Sequence, residues 1–65
     1  MTYICIKRKN EPSEKHEFLK IQNCSGLNEA SKKASEIFNC EENNITCRDL
    51  ATFTDLEDLL RFLNL

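Results

Sequence analysis

Four cysteines, Cys5, Cys24, Cys40 and Cys47, and a single histidine, His16, are the residues of this chain best suited to metal binding or nucleophilic chemistry near neutral pH. An even number of cysteines is compatible with disulfides, with a metal, or with neither, and spacing is the first discriminator. Zinc sites usually place two ligands on one tight turn, and no Cys-x-x-Cys pair occurs here. Cys24 and Cys40 flank a predicted helix that would hold them roughly 20 Å apart at 1.5 Å per residue, beyond the reach of a disulfide. Cys5 and Cys47 fall on neighbouring predicted strands, where the side-chain alternation assigns them to opposite faces. The expectation is therefore four small apolar fillers in a reducing compartment, and a chain that folds without cofactor, metal or disulfide.

His16 stands next to Glu17, but adjacent residues of a strand point to opposite faces, so the two do not form an acid–base pair. Cys24 lies on the same face as His16 of the same predicted strand, yet eight residues at ~3.3 Å each separate them by roughly 26 Å. No Gly-x-Ser-x-Gly or His-Glu-x-x-His motif is present, and one glycine in the whole chain leaves little scope for a phosphate-cradling loop. The expectation is a protein that is not an enzyme. The sequences Asn-Cys-Ser at Asn23 and Asn-Ile-Thr at Asn44 match the glycosylation pattern by chance when no secretory signal accompanies them.

Lys7, Arg8 and Lys9, with Lys15, His16 and Lys20 on the facing strand, make the one positive cluster that can be assembled. Tyr3 and Phe18 share the predicted face of Lys7, Lys9 and Lys20, an arrangement that would let bases stack on aromatics while lysines pair with phosphates. The motifs typical of RNA-binding sheets are absent and the net charge is -2, which places nucleic-acid binding second to protein binding.

The elements that must position these groups follow from periodicity. Thr2 to Lys9 alternates as a strand with Ile4 and Ile6 on one face; Lys15 to Cys24 reads as a second, with Leu19 and Ile21 on one face. The Asn-Glu-Pro-Ser-Glu break, with Pro12 the only proline, supplies the loop. A hairpin register setting Ile4 opposite Ile21, Ile6 opposite Leu19 and Arg8 opposite Glu17 puts the aliphatic pairs together. From Leu27 the period changes: Leu27, Ala30, Ala34, Ile37 and Phe38 form a helical stripe, with Ser25 as its cap and an end near Asn39. Ile45 to Ala51 reads as a third strand with Ile45 and Cys47 inward. Thr54 and Glu57 are spaced as a capping box, which starts a last helix at Asp55 with Leu56, Leu59, Leu60 and Leu63 as its buried stripe. Phe53 joins the core ahead of that helix. Phe62 lies about 100° from Leu63 and projects away from the stripe, either back against the first helix or over a sheet edge, or outward to a partner, and Leu65 follows it.

The order β-β-α-β-α predicts one α+β domain over residues 1–65, a two-layer fold with a three-stranded antiparallel sheet of order 2-1-3 covered by two helices. The runner-up places the third strand beside the second in parallel. A chain of 65 residues hides only roughly 60% of its unfolded surface, enough for a binding face and rarely for a deep catalytic pocket. Charged residues make up 31% with both signs mixed, no apolar run approaches the ~20 residues of a membrane span, and the start of the chain lacks signal-peptide order; the expectation is a cytoplasmic protein without membrane contact.

These features favour a small non-enzymatic interaction module that binds or occludes a larger protein or complex. Phage and mobile-element inhibitors of host machinery, anti-CRISPR proteins among them, share this general size and architecture; the analogy rests on no motif. The expected partner-binding residues are Tyr3, Lys7, Phe18 and Lys20 on the hairpin and Arg61 and Phe62 on the last helix. A weak nucleic-acid-binding domain using the hairpin face is the alternative, and the protein is expected as a monomer or a homodimer joined through an edge strand or the last helix.

Overall fold

Residues Tyr3–Lys7 form strand β1, whose first four residues, Tyr3, Ile4, Cys5 and Ile6, are all buried. A strand apolar on consecutive positions has both faces covered, and β1 is the central strand. The computed structural model describes residues 1–9, 11 and 13–64; the proline break at Pro12 and the terminal Leu65 lie outside the described residues. Strand β2 (Glu17–Ile21), helix α1 (Leu27–Phe38), strand β3 (Ile45–Asp49) and helix α2 (Leu56–Leu63) follow, with short 3₁₀ turns at Glu42–Asn44 and Leu50–Thr52. β1 pairs antiparallel with both neighbours, giving the order β2-β1-β3. This is the small α+β fold, with two helices packed on a three-stranded sheet, that the pattern of elements predicts.

The helices take opposite faces. Tyr3, Cys5, Ile21 and Ile45 pack with Ala30 and Ala34 of α1, while Ile4 and Ile6 pack with Phe62 of α2, flanked by Phe53, Leu59 and Leu63. The sheet is thus a middle layer, where the sequence suggested two layers in all. Ala30 and Ala34 are fully buried, and their small side chains let α1 lie close to the sheet. Leu27 and Ile37, expected in the same stripe, are exposed. α1 ends at Asn39, whose φ of 56° is the left-handed conformation that asparagine tolerates, and the Cys40 amide closes the turn on the Ser35 carbonyl.

The hairpin register differs by one residue from the expected one. Tyr3 pairs with Ile21, Cys5 with Leu19, Ile6 with Phe18 and Lys7 with Glu17, so Lys7 rather than Arg8 meets Glu17, at 3.4 Å. The expected register gathered every aliphatic residue on one face, which is the better solution only when the other face is wet. Here both faces of β1 are dry, so Tyr3 and Cys5 need apolar partners as much as Ile4 and Ile6 do. A one-residue slip moves each side chain of one strand to the other face relative to its partner.

Candidate functional site

α2 is anchored by one arginine. Arg48, on β3 opposite Ile4, points to the α2 side of the sheet. Its guanidinium donates to both carboxylate oxygens of Asp58, at 3.1 and 2.8 Å, to the Thr52 carbonyl at 2.8 Å and to the Thr52 hydroxyl at 2.9 Å. It also stacks 4.2 Å above the Phe53 ring, which meets Phe62 edge-to-face at 5.4 Å. Two-point binding of a carboxylate fixes orientation as well as distance. Asp58 is one turn before Phe62, so the contact that holds Asp58 on the sheet also turns Phe62 inward.

The helix start reinforces this rotation. The cap is Asp55, whose carboxylate accepts the Asp58 amide at 2.9 Å, and the Asp58 carboxylate reaches back to the Thr54 amide at 3.1 Å. The expected box of Thr54 and Glu57 is therefore replaced by Asp55 and Asp58, one residue later. Aspartate caps as well as threonine, and only Asp58 also finds Arg48. The Arg48 guanidinium, with the Thr54 amide, holds the Asp58 carboxyl below the usual carboxylate range. At the start of α1 the Ser25 hydroxyl and amide donate to Glu29, and Lys33 pairs with Glu29 at 3.2 Å; these contacts, the hydroxyl foremost, lower the Glu29 carboxyl to about 2. Ser25 thus acts as a donor, not as the acceptor cap expected of it; Gly26 holds the cap position without a side-chain bond.

The residues expected to bind a partner separate into three groups. Tyr3 and Phe62 are core, at 7% and 6% exposure, and offer nothing to a ligand in this fold. Lys7 is half-buried and paired with Glu17, on the α1 side of the sheet. Phe18, Lys20 and Arg61 are exposed. The single face expected to unite Tyr3, Lys7, Phe18 and Lys20 does not form, because the register places Phe18 and Lys20 with Ile4 and Ile6 on the α2 side. Phe18 is 57% exposed there, on an edge strand.

The helix rotation supplies what the sequence reading missed. With Phe62 turned in, Leu56 and Leu60 of the expected buried stripe turn out, at 68% and 48% exposure. They lie one helical turn apart, on the same side of the sheet as Phe18. The available signal was the alternative Asp55–Asp58 cap, but its preference over Thr54–Glu57 depends on Arg48, ten residues away from Asp58 in the chain.

Cys5 and Cys47 are directly opposed on β1 and β3, with their Cα atoms 4.1 Å apart, and they form a disulfide. This overturns the expectation that they face opposite ways and that all four cysteines are unpaired fillers. Both side chains point to the α1 side, because Ile45 and Cys47 share a face with Tyr3 and Cys5 rather than with Ile4 and Ile6. Cys24 and Cys40 are free thiols, the first buried and the second partly so. Among the described residues no group of three or more His, Cys, Asp and Glu side chains has the arrangement of a metal site, and no helix is long and apolar enough to cross a membrane. His16 accepts from the Lys9 ammonium at 3.3 Å on the hairpin surface.

A shallow depression lined by Met1, Thr2, Asp49, Leu50 and Ala51 lies at the far end of the sheet from the Ile6–Phe18 pair, and its carboxylate, Asp49, already accepts the Ala51 amide at 3.0 Å. Comparison with known proteins finds no family model that matches the chain, no curated protein that matches its sequence and no solved structure that matches its fold.

Proposed function

We propose that this protein is a small interaction module that docks on another protein through the α2 side of its sheet and acts there by occlusion. The observation that carries the reading is Phe18, an aromatic residue more than half exposed on an edge strand, with Lys20 beside it on the same face. Leu56 and Leu60 extend apolar surface on that side. Exposed aromatic and aliphatic side chains with basic and polar neighbours are typical anchors of protein interfaces, in which a few residues supply most of the affinity. Blocking of a host enzyme or assembly inside the cell, in the manner of phage and mobile-element inhibitors, is the mode we propose for it. Non-enzymatic action is part of this proposal.

Protein binding is favoured over nucleic-acid binding by the burial of Tyr3. A stacking platform needs aromatics side by side on an open face, and here Phe18 remains without Tyr3.

The test is affinity capture from the native host with the wild-type protein, Phe18→Ala and Leu60→Asp, followed by titration of the purified partner. The proposal expects a nuclease-resistant partner whose affinity falls about tenfold or more with Phe18→Ala, the effect of an interface anchor. It fails if no captured protein responds to either substitution while both variants keep the wild-type melting temperature. Capture that is abolished by nuclease and weakens steeply with salt would instead favour the nucleic-acid reading.

A further inference from the structure

The two sulfurs of the Cys5–Cys47 disulfide have different surroundings. Cys5 is fully buried, while Cys47 is partly exposed on edge strand β3. The Sγ of Cys5 lies 3.9 Å from the Ala30 carbonyl oxygen of α1, and the Ser31 hydroxyl lies 3.8 Å from the Sγ of Cys47. A disulfide sulfur has no hydrogen to give to a carbonyl. A thiol does, so Ala30 presents an acceptor to Cys5 in its reduced, protonated form. Ser31 presents a donor to Cys47, the partner that stabilises a sulfur carrying negative charge. Consecutive residues of α1 therefore match a thiol at Cys5 and a thiolate at Cys47. Strand pairing adds a third element: the β1–β3 ladder holds the two positions opposite one another independently of the covalent bond, so the sulfurs remain neighbours after reduction.

We propose that Cys5–Cys47 is an asymmetric thiol–disulfide exchange site, in which Cys47 exchanges with external thiols of the glutathione class and Cys5 is the buried resolving thiol. In the reducing direction an external thiolate attacks Cys47 Sγ, a new S–S bond joins it to Cys47, and the Cys5–Cys47 bond breaks with its electron pair passing to Cys5. Cys5 takes a proton from solvent and donates it in a hydrogen bond to the Ala30 carbonyl. A second external thiolate attacks the mixed disulfide at the external sulfur and releases the Cys47 thiolate. Two external thiols leave as their disulfide, and the protein gains two electrons and the one proton on Cys5, while the second proton given up by the external thiols passes to solvent. In the oxidising direction the Cys47 thiolate attacks one sulfur of a small-molecule disulfide and releases the first external thiolate. Cys5 then gives up its proton to solvent and attacks Cys47 Sγ, and the bond from Cys47 to the external sulfur breaks, releasing the second external thiolate. Attack requires access to the sulfur; Cys5 is fully buried, while Cys47 keeps partial exposure although it packs against the core on the α1 side.

The test follows the mixed disulfide. Oxidised wild-type protein is exposed to reduced glutathione under native conditions, quenched with acid and mapped by peptide mass spectrometry; Cys5→Ala and Cys47→Ala, previously reduced, are exposed to oxidised glutathione and mapped likewise. The proposal expects the adduct on Cys47 of the wild type to exceed that on Cys5 by about tenfold or more, and Cys5→Ala to accumulate the adduct on Cys47 because its resolving thiol is gone. Cys47→Ala should leave Cys5 unmodified. Comparable adducts on Cys5 and Cys47 in the wild type, an adduct confined to Cys40 or Cys24, or a disulfide that glutathione does not open in the folded protein would each overturn it. Circular dichroism accompanies the variants; if either has unfolded, the wild-type mapping decides alone.

Discussion

Replacing Phe62 by alanine tests the rotation of α2, on which the assignment of both core and surface depends. Phe62 is 6% exposed, sits on Ile4 and Ile6 of the central strand and meets Phe53 edge-to-face. Truncating a phenylalanine in such a position costs about 3–5 kcal/mol, the lost transfer energy plus that of the cavity left behind. A domain of this length has a total stability of only about 3–10 kcal/mol, so the variant should keep a small remainder or unfold. Leu60→Ala, at a position 48% exposed, should change stability by no more than about 0.5 kcal/mol, with the helix preference for alanine offsetting part of any loss. Urea titration followed by circular dichroism reads both. With a slope of about 1 kcal/mol per molar urea for a small domain, the midpoint should fall by about 3–5 M for Phe62→Ala and by about 0.5 M or less for Leu60→Ala. A Leu60 variant as damaged as the Phe62 variant would refute the rotation, and with it the exposed leucines and the role given to Arg48.

Three further outcomes are expected. Reducing the Cys5–Cys47 bond, which closes a loop of sequence separation 42, should lower stability by about 4 kcal/mol if it acts chiefly on the unfolded chain; an unchanged urea midpoint after reduction, verified by a four-thiol titration, would contradict this. Because folding depresses the Glu29 carboxyl from 4.5 to about 2, its contribution is fully present above pH 4.5 and is lost as pH falls toward 2; Asp58, also depressed, acts in the same direction. Melting temperature should therefore decline through that window, less steeply in Glu29→Gln, and identical slopes in the two proteins would count against the Ser25–Glu29 contact. Phe18→Ala should leave stability within about 0.5 kcal/mol of wild type, as suits an exposed side chain, and a larger loss by thermal or urea melting would place Phe18 in the core.

Much of the scaffold was legible in the sequence. The run of aromatic and β-branched residues in Tyr3 to Lys7 and the four-residue spacing of Ala30, Ala34 and Phe38 are local signals, and the structure has a strand and a helix there. Strand order also followed, since a crossover after a hairpin favours the third strand beside the first. The surface was less legible. Four of the expected contact residues, Tyr3, Lys7, Phe18 and Lys20, were grouped by a register one residue from the observed one. The last helix was read a similar small angle out, because its apolar residues cover a wider arc than one packing face, and periodicity alone does not say which edge of that arc turns inward.

The sequence by itself determined the type and order of the elements, because propensity, capping and hydrophobic period act within a few residues. Only the tertiary structure decided which side chains meet. Cys5 finds Cys47, Arg48 finds Asp58 and Phe62 finds Ile4 and Ile6 through the stacking of two helices on opposite faces of one strand. A central strand buried on both sides carries no period-two signal to pin its register. That choice fell to long-range contacts: the Lys7–Glu17 pair, the apolar partners of Tyr3 and Cys5, and the arginine that turns the last helix.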